Sequence, residues 1–290
     1  RNSINKLKNR CVSFLNGRVL EPVEEGKPGY VDPGLENWDI ASNVRPKKVV
    51  DSLLEHTKLK KVELSSENYG SLERFTWGNP SPYLVAQPLR KRSYFSHGSG
   101  AYLHGLTNDD GRKIHLNYEQ SPKPSRGTLV QDNIHKAFAR KQRSSSLIYR
   151  INGYEIIIIN GKFSDRHGVE EIVTGDSELV QVTSIERTLV DIAVRPGYSG
   201  GVANVLKIFQ KAKNSVSATR IMETLTKLDY VYPYHQSIGF YMERAGYALT
   251  DLSKFRSFQM EFDFYLDYEL GDDKHFDQNW RVFYPNSIDQ

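Results

Sequence analysis

Along this chain apolar residues recur at helical spacing in some stretches and alternate or run together in others, and the two periods predict different elements. Ile4, Leu7, Cys11, Phe14 and Leu15 share one face, which predicts an amphipathic helix over 4–15. Residues 16–36 are rich in Gly, Pro and Glu and read as an irregular connection, with a short helical turn around Trp38 and Ile40 at 36–41. Val49, Val50, Leu53 and Leu54 stripe a helix over 46–57, and Pro46 suits its first position. Two strand-like runs follow at 60–65 and 71–77, joined by the turn-forming residues 66–70. A short helix opened by Ser81 and Pro82 is predicted over 81–89.

Beyond residue 93 strands and helices intermix. Tyr94 and Phe95 end a strand, Ser96 caps a short helix, and Gly105 closes it. Gly98, Ser99, Gly100 and Ala101 keep that helix thin, so another element can pack closely on it. A strand is predicted over 112–118 and a helix over 131–140, with Ile134, Ala137 and Phe138 facing inward. Residues 146–151 and 154–160 read as a hairpin turned at Asn152-Gly153, and the run 156–159, all isoleucine, predicts a strand buried on both faces. A further strand covers 175–182. Thr183 and Glu186 have capping-box spacing before a helix striped by Ile185, Leu189, Val190 and Ile192, which Pro196 and Gly197 stop. Glu186, Arg187 and Asp191 are expected on the outer side as a helix-start cap and an exposed ion-pair face, with an acid/base set as the alternative reading. Helices over 202–213, 217–228 and 234–245 follow, then strands at 259–269 and 280–284 around an acidic loop at 271–277.

Length changes the picture little: 290 residues suffice for one large domain or two ordinary ones. No apolar run is long enough for a transmembrane helix. Cys11 is the only cysteine, which excludes an intramolecular disulfide and a Cys-rich zinc site and suits a reducing cytoplasm. The chain begins at Arg1, as a processed or trimmed product would, and a removed targeting peptide is compatible with that. Charge is more informative. The net +4 conceals a split, with +5 over residues 1–93, +5 over 94–258 and −6 over 259–290. An anionic partner for the front of the chain fits this asymmetry.

A helix followed at once by a basic two-stranded hairpin is the last part of a winged helix-turn-helix. The fold class expected is therefore α+β, with an N-terminal winged helix-turn-helix domain over 1–92 and a larger mixed α/β C-terminal domain over 93–290. Arg45, Lys47, Lys48, Lys58, Lys60, Lys61 and Arg74 would supply sequence-independent phosphate contacts. Lys47 and Lys48 oppose the helix dipole and make sense beside a phosphate at that helix start. Asn68, at the hairpin tip, is placed to reach a base edge, and Arg90, Lys91 and Arg92 form a second basic cluster at the domain boundary. His97 and His104 share a helical face, but no third ligand lies near in sequence. Ser96 and Ser99 carry no nucleophile-elbow pattern, and adjacent Ser96 and His97 are not expected to aim at each other. A capping serine and structural histidines are the expectation. No phosphate-binding glycine loop or dinucleotide fingerprint is present, and no cofactor or metal is expected.

Two sequence blocks, taken with their separation, resemble the AbiEi family, the antitoxin and transcriptional regulator proteins of type IV toxin–antitoxin pairs. The first runs from Ser96-His97-Gly98-Ser99-Gly100-Ala101 through Tyr102-Leu103-His104-Gly105-Leu106-Thr107. The second is Thr183-Ser184-Ile185-Glu186-Arg187-Thr188-Leu189-Val190-Asp191, followed by Arg195-Pro196 and Gly200-Gly201. Ala137-Phe138 with Arg143, and Asn160-Gly161-Lys162, fit the region between, so the resemblance covers about 44–250. Family members commonly carry Ala-Leu where this chain has Gly100-Ala101, which implies a smaller core contact here. The resemblance implies a cytoplasmic, non-enzymatic protein of phage defence by abortive infection. Its winged helix would bind double-stranded DNA of its own promoter, at inverted repeats, and its C-terminal domain would take part in neutralising a nucleotidyltransferase-like toxin. Two other classes stay open on the residues alone: a protein-interaction module whose winged helix is only a scaffold, and a metal-dependent nucleic-acid enzyme using Glu186, Asp191, the histidines or the carboxylates of 261–277.

Overall fold

The computed structural model describes residues 46–109, 111–122, 128–268, 270–271 and 274–288. The helix expected at 4–15, the connection at 16–36, the turn at 36–41 and Arg45 lie outside the described residues. So do the first helices of the expected winged helix; what is described of the range 1–92 is one helix, its hairpin, and a short helix with a 3-10 turn after it.

Helix α1 (Pro46–His56) is followed by strands β1 (Leu59–Ser66) and β2 (Gly70–Trp77). Helix α2 (Pro82–Ala86) is capped by Ser81, whose hydroxyl accepts the Leu84 N–H at 3.3 Å, and runs into a 3-10 turn, Gln87–Leu89. Strand β3 (Tyr94–Phe95), helix α3 (His97–Leu103), strand β4 (Lys113–Glu119), helix α4 (Gln131–Phe138) and strands β5 (Ile148–Ile151), β6 (Tyr154–Gly161), β7 (Val169–Val173) and β8 (Leu179–Thr183) complete the first half. The second half is mostly helical: α5 (Ile185–Val194), α6 (Val202–Ala212), α7 (Ala218–Leu228), α8 (Tyr234–Arg244) and α9 (Leu249–Arg256). Short strands β9 (Phe264–Tyr265), β10 (Lys274–Asp277) and β11 (Val282–Pro285) end it. The mixed α+β class expected from the sequence is the class observed.

One eight-stranded mixed sheet organises the molecule, in the order β2-β1-β5-β6-β4-β3-β8-β7. β4 and β6 run parallel, as do β3 and β8, while the hairpins at both ends are antiparallel. The hairpin expected as the wing of the N-terminal domain extends this sheet: β1 pairs with β5 at Ser65–Arg150. The tip is held by a hydrogen bond between the Tyr69 and Ser146 hydroxyls at 3.3 Å and by an Arg150–Glu67 ion pair at 2.6 Å. The β5–β6 hairpin turns at Asn152 (φ 50°) and Gly153 (φ 80°), the two positive φ angles a tight hairpin of this twist demands. In β6, Ile156, Ile158 and Ile159 are buried and Ile157 half-buried, which matches the isoleucine run.

Two apolar clusters result. One lies on the sheet, where Leu64, Phe95, Ile114, Leu116, Ile156 and Val182 meet Tyr83 and Val85 of α2. The other lies among the helices around Leu189, Phe209, Ile221, Phe240 and Trp280. Trp280 is fully buried and lies directly on Gly239 of α8, where a Cβ would fall 2.1 Å from the indole ring. That close approach fixes the end of the chain against the helical layer.

Several expected elements differ. Strand β7 and helix α9 were not predicted. The strand expected at 259–269 shrinks to β9, because only Phe264 and Tyr265 find a partner strand in β11. The acidic loop expected at 271–277 contains β10, which pairs with β11. Helix α5 is capped one residue later than the spacing suggested: Ser184, not Thr183, accepts the Arg187 N–H, at 3.3 Å. No helix of the described residues is long and apolar enough to cross a membrane.

Candidate functional site

Two places gather the chemistry, a basic hairpin on the surface and a polar centre inside. In the hairpin, Lys58, Lys60 and Lys61 are exposed where α1 passes into β1. Lys60 Nζ donates to Asn79 Oδ1 at 2.6 Å, and Lys61 is ion-paired with Glu73 across the hairpin on β2. Both interactions are solvent-exposed, so a phosphate can replace them at small cost. Asn68 is exposed at the tip, eight residues from Lys60, a distance of about 26 Å along an extended strand. The base-edge candidate and the strand lysines thus occupy opposite ends of the hairpin. Lys47 and Lys48 belong to the first turn of α1, but their side chains lie outside the described residues.

Arg74 departs from the expectation. It is buried, with 7% exposure, and Nη1 donates to the Glu73 carbonyl at 2.8 Å, so it packs within the hairpin and does not present a surface cation. Arg90, Lys91 and Arg92 are exposed just before β3. The Arg90 guanidinium lies 5.5 Å from the Tyr118 ring centre, and Arg92 faces Asp165 at 3.4 Å. β3 and β4 therefore hold this cluster, and in the sheet order β5 and β6 stand between those strands and the hairpin that carries Lys60 and Lys61.

The polar centre is built where α3 crosses α5. Gly100 makes the crossing possible, since a Cβ there would lie 2.7 Å from Thr188 Oγ1 of α5, and a Cβ on Gly98 would lie 2.7 Å from the Tyr198 carbonyl oxygen in the 3-10 turn Pro196–Ser199 that follows α5. The thin helix expected there is thus closely packed, as its composition suggested. Glu186, Arg187 and Asp191 correct the expected exposed face, since they are only 6%, 4% and 4% exposed. Arg187 Nε donates to Asp191 Oδ1 at 2.8 Å, and its Nη1 donates to the His167 carbonyl at 2.9 Å and to Ser164 Oγ at 3.2 Å. Burial acts to lower the Arg187 guanidinium and to raise the Asp191 carboxyl, but the attraction between them holds Arg187 above its ordinary value. Glu186 turns to the neighbouring helix instead of its own start, meeting Arg220 at 2.8 Å and accepting the Ser217 N–H at 3.4 Å. Neither carboxylate of the acid/base reading opens onto solvent.

Ser96 and His97 also depart from expectation. Ser96 Oγ lies 2.8 Å from His97 Nδ1, within hydrogen-bond reach. His97 adopts φ 52°, a left-handed turn that folds the two adjacent side chains together. The His97 and His115 rings both pack on Tyr198, each 5.4 Å away. Burial and the nearby His115 hold His97 well below the usual imidazole range, and burial with Lys113 pushes His115 down to about 4. Both imidazoles are therefore neutral at pH 7. His104 points elsewhere, to the Thr183 carbonyl at 2.7 Å, so the two histidines expected on one face do not converge. Lys162 caps the end of α7, donating to the Leu228 carbonyl at 2.6 Å, where a cation meets the negative helix end. Among the described residues no group of three or more His, Cys, Asp or Glu is placed to hold a metal ion.

Neither a family model nor a curated protein matches this chain. Among solved structures, the crystal structure of the Rv2827c protein from Mycobacterium tuberculosis superposes with a TM-score of 0.52 at 14% identity, covering 83% of this chain and 80% of that chain. At that identity the likeness is one of fold: the architecture described above is shared with Rv2827c over most of both chains.

Proposed function

We propose that the chain is a DNA-binding regulator of AbiEi type: an antitoxin that represses its own operon and counteracts a nucleotidyltransferase-like toxin in the cytoplasm. The observation that carries the DNA-binding part is the set of exposed lysines Lys58, Lys60 and Lys61 where α1 passes into a hairpin of the main sheet, with Lys60 and Lys61 on opposite faces of β1. The antitoxin part rests on the two sequence blocks, which form the α3–α5 crossing. In this reading the lysines hold the phosphate backbone and α1 lies toward the groove.

Replacing Lys58, Lys60 and Lys61 together by Ala is expected to weaken binding to operator and unrelated duplexes alike. The slope of log affinity against log salt should fall by about 0.9 for each phosphate that is no longer neutralised, or close to 3 in all. An unchanged slope in a fluorescence-anisotropy titration would remove these lysines from the account.

One observation favours a protein-binding role beside the DNA role. Val173 and Leu179 are cross-strand neighbours at the outer end of the sheet and are 68% and 52% exposed. An exposed apolar pair on an edge hairpin is a surface that a partner protein can cover.

A further inference from the structure

The stretch from Asn133 to Tyr154 contains five Lys and Arg and no carboxylate. Two of those cations are already matched: Lys136 pairs with Asp132 at 2.5 Å, and Arg150 with Glu67 and Glu155. Arg140, Lys141 and Arg143 are exposed on the irregular segment between α4 and β5. That segment is anchored at its base. Ser145 N donates to the Tyr198 hydroxyl at 2.9 Å, Ser145 Oγ donates to the Ile158 carbonyl at 2.6 Å, and Leu147 N donates back to Ser145 Oγ at 3.2 Å.

Its neighbour is the hairpin tip. Ser146 meets Tyr69, one residue from Asn68, and Arg143 is three residues from Ser146, so its Cα lies within about 11 Å of the Ser146 Cα. The Arg150–Glu67 pair fixes the tip from the other side. Arg143 therefore stands near the tip, although some seventy residues separate them in the chain, and Lys141 and Arg140 lead back from it along the segment toward α4. Neither the helix-plus-hairpin pattern nor the basic run at 90–92 points to it.

We propose that Arg140, Lys141 and Arg143 extend the nucleic-acid surface across the tip of the β1–β2 hairpin and hold the phosphate backbone of a DNA duplex beside Asn68. This inference rests on the DNA-binding reading above and adds its second half. Point charges without interleaved carboxylates match a row of phosphate oxygens. The tethered tip supplies a rigid support, so little is lost in ordering it on binding.

The test is a triple variant, Arg140→Ala with Lys141→Ala and Arg143→Ala, titrated against a 30-base-pair duplex over a range of salt beside the native chain. Its affinity at low salt should fall roughly tenfold to a hundredfold, and the salt slope should drop by about 2–3. Because the three side chains are exposed, the thermal midpoint should hold. The charge-conserving pair Arg140→Lys and Arg143→Lys should keep the native slope. A triple variant with native affinity and slope overturns the inference. If the Lys58, Lys60 and Lys61 variant loses binding while the loop variant keeps it, this surface alone is wrong. If the native chain binds no DNA, both readings fall. An acidic protein that competes for the loop while DNA does not would also overturn it.

Discussion

Replacing Asp191 by Ala is expected to lower the free energy of unfolding by about 3–5 kcal/mol, the range for removing one partner of a buried ion pair. The Arg187 and Asp191 side chains are each only 5% exposed and meet at 2.8 Å. Without the carboxylate, Arg187 keeps its bonds to the His167 carbonyl and Ser164 but loses the charge paired with it at 2.8 Å. The same guanidinium ties the segment after β6 to α5, so that segment should loosen with it. Asp191→Asn keeps an acceptor of the same shape and should cost less. Urea unfolding checks this: the midpoint should fall with the denaturant slope unchanged. A loss under about 1 kcal/mol would mean that Arg187 is solvated in the native state and that the buried pair is not as described.

Acid should weaken the fold well above the carboxylate range. His115 is 5% exposed and is held neutral by burial and by Lys113, with its pKa down to about 4. An unfolded imidazole titrates near 6.5, so between those values the unfolded chain binds more protons than the native one. Stability is then fully present above about pH 6.5 and is lost as pH falls toward 4, with roughly 2 kcal/mol gone by pH 5 from this group alone. His97, held low for the same reason, adds in the same direction. Stability curves at pH 7.5 and pH 5 test this, with His115→Phe as the comparison. The variant should lose less on acidification, by about the same 2 kcal/mol. Equal losses in both chains would show that His115 is charged in the native state.

Much of the fold was legible because its signals are local. Ser217 caps α7 as its position suggested, and the Asn152-Gly153 turn has the positive φ angles its sequence implies. Helices α6, α7 and α8 form within a residue of the ranges expected for them. What was not legible is non-local. Nothing near Glu186, Arg187 and Asp191 distinguishes a surface helix from one enclosed by α3, α7 and α8, and charged residues at helical spacing are ordinarily solvated. The Ser96–His97 hydrogen bond depends on a left-handed φ at a non-glycine residue, which no pattern of neighbours reveals. Strand β7 is hard to read because Glu170 and Glu171 are exposed on it and break its apolar pattern. The same holds for the candidate site. Lys58, Lys60 and Lys61 could be picked out as a basic run, whereas their division between the two faces of β1, the burial of Arg74 and the meeting of Tyr69 with Ser146 follow from the strand and its tertiary packing.

The central claim is that this chain reads DNA. The most direct measurement is a binding titration of the native protein against the duplex just upstream of its own gene, beside an unrelated duplex of equal length, at two salt concentrations. The account predicts tighter binding to the upstream duplex, with the preference persisting at the higher salt while the shared electrostatic part weakens in both. Equal binding to the two duplexes that vanishes at higher salt, or no binding to either, would contradict it.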